Sequence, residues 1–336
     1  MSTRQKLSLM SIVMGFLLFL VTLPVHADRD GVVRFATLPP GPGHPEGIAA
    51  DESGNIYVST FDFTTTNVIH IFGRNGRLRD TIPLPGVLPL GLAFDAAGNL
   101  YVADFGNGNV LKFTPPFSAS SVPAETFSVC GGAGAGCGLN AMTFDTSGNL
   151  YVSDSFGGNI FKIDLPDGIS PSLFFFDERL KPAPPPHGFP PFGANGLVFN
   201  DDGTALFIAN TADDRILKLD VTAVPLDASA LTTFAESIDG ADGILFANGL
   251  LWVAANQADE VVALNENGRV VDRRGSFKGI GPDGAARGLL FPASIVLSRG
   301  SIFVTNAALA LTPAVGDEPE EDVTTFTVSR IPLGGD

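Results

Sequence analysis

Four oxygen-bearing side chains precede apolar runs at matching points of a repeated motif. The motif is a polar residue, then Gly or Ala, then the apolar run, and its polar members are Glu46, Asn140, Asn195 and Asp242. Two carboxylates and two amides supply hard oxygen donors, which suit calcium, with backbone carbonyls or water completing about six to eight ligands. Zinc prefers His or Cys, and magnesium a tighter octahedron. Calcium is therefore the predicted ion, with another divalent metal as the alternative.

The motif belongs to a repeat with a period of about 50 residues. Six units begin at Gly47, Gly91, Ala141, Gly196, Gly243 and Ala293. Each reads as an apolar run, a turn rich in Asp, Gly and Asn, and a run with β-branched and aromatic residues. Further strands are predicted from Asn67, Asn109, Asn159, Arg215 and Glu260. Four strands per unit predict an all-β, six-bladed β-propeller, whose innermost strands line a central channel.

The residue immediately before each unit is called here its lead residue. Leu90 and Pro292 are the predicted lead residues of the second and sixth units, so four of the six are oxygen ligands. The alternative is that Asn and Asp simply make turns before strands. That alternative explains Glu46 poorly and does not account for the two apolar lead residues. A one-residue register slip in the third unit would remove Asn140 from the site.

The two ends of the chain are predicted to close the ring. The sixth unit has three strands of its own, the last near Thr324, while an unassigned strand from Gly31 precedes the first unit. Pairing that strand into the sixth blade leaves no unpaired seam. Residues 28–336 are therefore expected to form a single propeller domain. Two loops, the proline-rich 182–191 and the acidic 309–321, are predicted to border one mouth of the channel.

The first 27 residues have the pattern of a secretory signal peptide. Arg4 and Lys6 precede an apolar stretch, Leu7–Leu23, and the segment ends at Ala27 before acidic residues. Cleavage near Ala27 predicts a periplasmic or secreted protein. The alternative is an uncleaved membrane anchor, because the apolar stretch approaches the length that spans a bilayer.

The chain is strongly acidic. It has 36 Asp and Glu against 20 Lys and Arg, a net charge of −16, and loss of residues 1–27 removes two basic and no acidic residues, giving −18. Nucleic acid and anionic membrane surfaces are therefore poor partners. A small-molecule substrate or ligand and a monomeric state are expected. The only cysteines, Cys130 and Cys137, predict a local disulfide in an oxidising compartment.

Three further residues are candidates for the mouth. His44 lies two residues before Glu46 and is a candidate general base, the alternative being an ordinary histidine of a surface loop. Asp62 and Asn256 are candidates for substrate binding. No GxSxG, HExxH, phosphate-loop or CxxC motif occurs in the sequence. Nucleophilic serine catalysis is therefore unsupported.

Polar residues also end the second strand of most units. They are Thr60, Asp104, Asp154, Asn210 and Asn306. Asp104 with Asn109, and Asp154 with Asn159, are interpreted as pairs that stabilise turns within a blade. These strand-end residues are therefore expected to be structural.

The strands of the GNLYVAD type resemble NHL-repeat propellers. The segments HPEGIAAD, GANGLVFND and GADGILFA resemble the gluconolactonase family, which includes regucalcin and the senescence marker protein. This resemblance covers nearly all of residues 28–336. It implies one divalent metal in the channel, bound by Glu46, Asn195 and Asp242, with Asn140 facing metal or substrate. The Arg and Asp that usually flank that Asn in the family are missing here, so sugar-lactone specificity is not implied.

Two functions follow from these observations. The first is an exported, calcium-dependent hydrolase of lactones or related esters, in which Asp242 or His44 helps to activate water. The second is a non-enzymatic propeller that binds a ligand or protein at its mouth, with Phe61, Phe63 and Phe105 in the recognition surface. A metal-free, synthase-like relative is a third reading, disfavoured by the four retained ligands. The sequence leaves open whether the protein is an enzyme.

Overall fold

The structure is a computed structural model that describes residues 31–41, 43–130, 136–165, 168–183, 191–311 and 318–334. The predicted signal peptide lies outside the described residues, as does most of the proline-rich loop. Within these ranges, helical residues form only short 3-10 helices, Glu178–Leu180, Ala228–Ala230, Asn256–Ala258 and Pro319–Asp322. No helix in this part of the chain is long and apolar enough to cross a membrane.

Strands make up six antiparallel, four-stranded sheets and one small hairpin. After β1 (Val33–Thr37), the first blade has β2 (His44–Ala50), β3 (Ile56–Phe61), β4 (Asn67–Phe72) and β5 (Leu78–Leu84), and the second has β6 (Pro89–Phe94), β7 (Leu100–Asp104), β8 (Asn109–Phe113) and β9 (Glu125–Ser128). The third has β10 (Leu139–Phe144), β11 (Leu150–Asp154), β12 (Asn159–Asp164) and β13 (Ile169–Phe176), and the fourth has β14 (Ala194–Phe199), β15 (Ala205–Asn210), β16 (Arg215–Asp220) and β17 (Leu231–Glu236). The fifth has β18 (Ala241–Ala247), β19 (Leu250–Ala255), β20 (Glu260–Leu264) and β21 (Val270–Arg274), then come the hairpin β22 (Phe277–Ile280) and β23 (Ala286–Gly288), and the sixth has β24 (Pro292–Ser298), β25 (Ser301–Asn306) and β26 (Thr327–Pro332).

The N-terminal strand β1 closes the ring. It pairs antiparallel with β26, with Val33 opposite Arg330 and Thr37 opposite Thr327, and is the outermost strand of the sixth blade. The innermost strands β2, β6, β10, β14, β18 and β24 each contact the next, and β24 contacts β2. The predicted six-bladed propeller with an N-terminal closing strand is confirmed.

A repeated hairpin explains why the first three blades share the pattern Asp, then Asn, then Tyr. In each hairpin, the Asp carboxylate accepts hydrogen bonds from the backbone and side-chain amides of Asn and from the Tyr hydroxyl. The three triads are Asp51/Asn55/Tyr57 in the first blade, Asp95/Asn99/Tyr101 in the second and Asp145/Asn149/Tyr151 in the third. Burial, and then the adjacent Asp, raises the pKa of each tyrosine. The tyrosine hydroxyl therefore stays protonated and donates its hydrogen bond to the Asp carboxylate, which stabilises the turn.

The strand-end residues stabilise loops, as expected. Asp154 accepts a hydrogen bond from Asn159 Nδ2 at 2.8 Å, which confirms that pair. Asp104 and Asn109 are opposite each other in the ladder and flank one turn, and within that turn Asp104 Oδ2 accepts a hydrogen bond from Asn107 Nδ2 at 2.7 Å.

The disulfide predicted between Cys130 and Cys137 is present. It lies in the connection between β9 and β10, and both cysteines pack against a buried cluster that includes Leu139 and Val152. The disulfide therefore fastens the segment that leads into the inner strand of the third blade.

Apolar residues form the band of the channel next to the lead residues. Its six members lie where each inner strand rejoins the ladder with the second strand and are 4 to 8 % exposed: Ile48, Leu92, Met142, Leu197, Ile244 and Ile295. The inner strands here approach backbone to backbone. A Cβ on Gly47 would lie 1.9 Å from the carbonyl oxygen of Leu90, and one on Gly196 would lie 2.3 Å from that of Asp242. Glycine after the lead residue is thus a steric requirement in these units.

The strand register corrects the sixth lead residue. In each blade the residue before the lead position pairs with the end of the second strand, as in Pro45 with Thr60, Pro89 with Asp104, Leu139 with Asp154 and Pro292 with Asn306. The sixth lead residue is therefore Ala293, and the prediction of Pro292 is wrong by one position. The third unit has the same register as the others, so the one-residue slip does not occur and Asn140 keeps its lead position.

Candidate functional site at the channel mouth

A β-bulge opens each inner strand. The pairing with the second strand is interrupted between Pro45 and Ile48 in the first blade, and at the equivalent place in the others. The lead residue and its successor therefore lie outside the regular ladder. A hydroxyl satisfies the released backbone amide in some blades, as where Gly47 N donates to Ser59 Oγ at 2.9 Å. The bulge is what directs lead side chains into the channel.

All four predicted ligands line one cavity of about 50 Å³ at the mouth, together with His44 and Asn256. Asn140, Asn195 and Asp242 are 3 to 5 % exposed, whereas Glu46 is half-buried. The structure thus brings together the four lead side chains and the candidate base.

Hydroxyl groups fix the orientation of both lead amides. Asn140 Nδ2 donates to Ser155 Oγ at 3.1 Å, and Asn195 Nδ2 donates to Thr211 Oγ1 at 3.0 Å. Each hydroxyl donates its own proton to a carbonyl of the next inner strand at 2.8 Å. A hydroxyl has only one proton, so it must accept from the amide. The NH2 group of each Asn therefore faces the hydroxyl, which leaves the amide oxygen available to a cation.

The two carboxylates are incompletely satisfied. Asp242 Oδ2 accepts from Asn256 Nδ2 at 2.9 Å, but Asp242 Oδ1 and Glu46 Oε2 are buried without a hydrogen-bond donor among the described residues. Burial raises the pKa of Asp242 to about 7, against opposing hydrogen bonds from Asn256 and Asn195. Burial, and then the nearby Asp242 charge, raises the pKa of Glu46. Such groups are costly unless a proton or a cation compensates them.

The donor set fits an oxygen-liganded cation. Two buried carboxylate oxygens have no donor among the residues that the structure describes, and the two lead amides are oriented to offer their oxygens. Over the described ranges, no three His, Cys, Asp or Glu side chains cluster as a metal site. A cation at the mouth would therefore need the amide oxygens of Asn140 and Asn195. This combination suits calcium better than zinc.

His44 is anchored at the edge of the cavity. Its Nδ1 lies 2.8 Å from the carbonyl oxygen of Ala307. A carbonyl only accepts, so Nδ1 carries the proton in this contact and Nε2 is the basic nitrogen. The ring also packs edge-on against Phe326, with centroids 4.9 Å apart.

The two predicted substrate-binding residues lie in different places. Asp62 does not line the cavity, and its Oδ1 accepts from Thr64 N at 2.6 Å and Thr64 Oγ1 at 2.7 Å. Asn256 lines the cavity, but its amide binds Asp242. The roles assigned to these two residues, like those of His44 and the four ligands, stay predictions.

The sequence prediction did not include Ser155 and Thr211. They occupy one register position, the residue that follows the partner of the residue before the lead position. Across the six blades this position holds Phe61, Phe105, Ser155, Thr211, Asn256 and Ala307. It is polar only in the third, fourth and fifth blades, which carry the lead residues Asn140, Asn195 and Asp242. A partner at this position orients the lead side chain in each of these blades. That correspondence between two repeat positions is the signal that could have identified them.

Replacing Thr211 with Val is expected to weaken calcium binding about 10-fold to 100-fold while the fold is retained. The variant keeps the shape of Thr211 but frees the Asn195 amide to rotate. Calorimetric titration with calcium measures the effect. Thr81→Val is the matched control, because Thr81 Oγ1 bonds His70 in the first blade away from the mouth. Equal affinities in both variants would contradict an orienting role for Thr211.

The chain is a six-bladed β-propeller that is similar to gluconolactonases and has NHL-repeat-like blades. Residues 190–275 match the family model described as SMP-30/gluconolactonase/LRE-like region, and residues 88–113 match the NHL repeat. The first segment contains Asn195, Thr211, Asp242 and Asn256. The predicted resemblance is confirmed. Among curated proteins, no match was found.

Solved structures share this fold at low sequence identity. A luciferin-regenerating enzyme has a TM-score of 0.62 at 15 % identity, covering 87 % of this chain and 92 % of that chain. Regucalcin from Agrobacterium tumefaciens, described as a calcium-binding protein, has 0.60 at 16 %, covering 89 % and 95 %. Virginiamycin B lyase from Staphylococcus aureus has 0.56 at 13 %, covering 87 % and 97 %. Likeness at this level shows the fold, and the fold alone does not select a reaction.

Proposed function

We propose that the protein is a calcium-dependent hydrolase of lactones or related esters that acts at the channel mouth. The observation that carries this proposal is a pair of carboxylates, Glu46 and Asp242, in one cavity with two oriented amides. Each carboxylate has a buried oxygen that no donor of the described residues reaches. The match of residues 190–275 to the gluconolactonase model supports a lactonase-type hydrolase. A bound cation would polarise the substrate carbonyl and stabilise the oxyanion.

His44 is the proposed general base. With Nδ1 held by the Ala307 carbonyl, Nε2 can take a proton from water that attacks the carbonyl carbon. The acyl–oxygen bond then breaks, and His44 returns the proton to the leaving oxygen. Asp242 is the other candidate, but a carboxylate that binds a cation is a poor base. Asp242 is therefore assigned first as a ligand, with Asn256 holding its Oδ2.

We also infer that the protein is exported and works as a single domain, residues 28–336, after cleavage near Ala27. The disulfide between Cys130 and Cys137 supports this, since disulfides persist in oxidising compartments. A periplasmic or secreted monomer with a small-molecule substrate is the resulting proposal.

The test combines metal removal with a substrate panel. Protein beginning at Asp28 is expected to hydrolyse simple lactones or aryl esters, to lose turnover in a chelator and to regain it with calcium. His44→Gln should lower kcat about 100-fold or more without changing calcium affinity. His70→Gln is the matched control, because His70 bonds Thr81 and does not line the mouth. Calcium-loaded protein that hydrolyses nothing in the panel would contradict the proposal.

The second candidate is a non-enzymatic propeller that binds a ligand or protein at its mouth. Phe63 and Phe156, next to the mouth residues, are 73 % and 38 % exposed. Exposed aromatic side chains of this kind occur at interaction surfaces. Calcium binding without turnover would favour this candidate.

A further inference from the structure

The mouth has a polar side and an apolar side. Polar lead residues with polar partners come from the third, fourth and fifth blades. In the first, second and sixth blades, the position equivalent to Ser155 holds Phe61, Phe105 and Ala307. Two of the three lead residues in these blades are also apolar, namely Leu90 and Ala293. All five of these apolar residues line the cavity. Phe192, Phe291 and Leu309 complete this side. It therefore offers apolar surface to whatever reaches the polar group.

Phenylalanine rings brace one another along this side. Phe105 contacts Phe61 at 6.1 Å, Phe156 at 5.5 Å and Phe192 at 6.3 Å between ring centroids. Phe156 stacks on Phe192 at 5.9 Å with an interplanar angle of 23°. Aromatic pairs at these separations stabilise each other's positions. The four rings are called here the phenylalanine wall.

The backbone below the wall is adapted to it. A Cβ on Gly138 would lie 2.8 Å from the Phe156 ring and 2.9 Å from the Phe105 ring, so only glycine allows both rings to approach. Gly138 is two residues before Asn140. The wall is thus packed directly onto the segment that places a proposed ligand.

We propose that the substrate carries an apolar alkyl or aryl group beside its lactone or ester carbonyl, and that the phenylalanine wall binds this group. This inference rests on the proposed function and specifies its substrate class. Apolar groups gain from burial against such a surface, by about fourfold in affinity for each methylene. A polyhydroxylated lactone would instead place hydroxyls against rings that cannot hydrogen-bond them, which disfavours it.

A lactone series tests the proposal. For γ-butyrolactone and its homologues with alkyl chains of increasing length, kcat/KM is expected to rise about threefold to fourfold for each methylene. Phe105→Ala should flatten this dependence, so that kcat/KM changes little between γ-butyrolactone and its longest homologue. Phe192→Ala is the second variant, and Phe176→Ala, at an exposed ring on the outer strand of the third blade, is the control. D-Glucono-δ-lactone as the better substrate, or an unchanged dependence in both variants, would overturn the inference.

A binding measurement separates this inference from the proposed function. The 2-alkylcyclopentanones resemble alkyl lactones but cannot be hydrolysed, and calorimetry measures their affinity for the calcium-loaded protein. Tighter binding of longer alkyl chains, lost in Phe105→Ala, would support the wall even if no lactone is turned over. Affinity independent of chain length would overturn the inference even if hydrolysis is observed.

Discussion

The double variant Glu46→Gln, Asp242→Asn is expected to melt at a higher temperature than the wild type without calcium, and not to respond when calcium is added. Both substitutions preserve shape and remove a buried negative charge. In the calcium-free wild type, no donor in the part of the chain that the structure describes reaches Asp242 Oδ1 or Glu46 Oε2, and the two groups repel each other. Removing both charges should therefore stabilise the metal-free fold by a few kcal/mol.

The pH dependence of the calcium-free wild type has a definite sign. The pKa of Asp242 is about 7 in the folded protein and close to 4 when unfolded. Between these values the folded state binds more protons, so stability falls as pH rises from 4 to 7. At about 1.4 kcal/mol for each pKa unit, the loss is on the order of 4 kcal/mol. The double variant should lack this decline.

Calcium should reverse the order of the two proteins. At a free concentration about 10,000 times Kd, a ligand that binds only the folded state adds about 5 kcal/mol, which exceeds the roughly 4 kcal/mol that the wild type loses by pH 7. Thermal melts of both proteins at pH 5 and pH 8, with a chelator or with calcium, measure the effect. Asp62→Asn is the control, because Asp62 lies outside the cavity and its contacts to Thr64 are local. If the double variant is less stable than the wild type in the chelator, the two carboxylates do not destabilise the calcium-free fold.

The propeller was predictable because its signals are local. Strands β4, β8, β12, β16 and β20 begin at the residues from which the sequence predicts them, Asn67, Asn109, Asn159, Arg215 and Glu260. Turn residues and alternating apolar positions mark such strands without help from the rest of the fold. The hairpin of β22 and β23 was not predicted, because its two strands are only four and three residues long.

The sixth lead position shows where local signals fail. Pro292, Ala293 and Ser294 are all small or apolar, so composition does not indicate which of them faces the channel. The bulge then places two residues outside the ladder, and only the pairing of Pro292 with Asn306 reveals the register. In four of the other blades a polar lead residue followed by Gly or Ala made the position visible, and in the second blade Gly91 after Leu90 marks it.

The partners of the lead residues were also out of reach of local reasoning. Ser155 and Asn140 are 15 residues apart, and Thr211 and Asn195 are 16 apart. They meet because the inner and second strands of a blade are antiparallel. Phe192 joins the wall from the connection between two blades, which no repeat position describes. Ser155 and Thr211 are therefore found only when two positions of the repeat are compared, and Phe192 only from the structure.

Removing the closing strand is expected to cost a large part of the folding free energy. A chain that begins at Pro39 lacks β1, which leaves β26 as an unpaired edge. It also loses Ala36 and Leu38, which are 4 % and 5 % exposed within a cluster shared by the first and sixth blades. The Phe35 ring, 4.7 Å from that of Phe303, is lost as well. Compared with a chain that begins at Gly31, we expect a melting temperature lower by about 10 °C or more, or no cooperative transition.

A peptide added in trans distinguishes the loss of this strand from general damage. A synthetic peptide of residues 31–38 should restore much of the melting temperature of the chain that begins at Pro39, because it can pair with β26 and refill the cluster. A peptide with Ala36 replaced by Asp should fail, since it would bury a carboxylate against apolar side chains. Circular dichroism melts with each peptide give the comparison. If the shortened chain melts like the chain from Gly31, or if both peptides act alike, the ring does not depend on its N-terminal strand for closure.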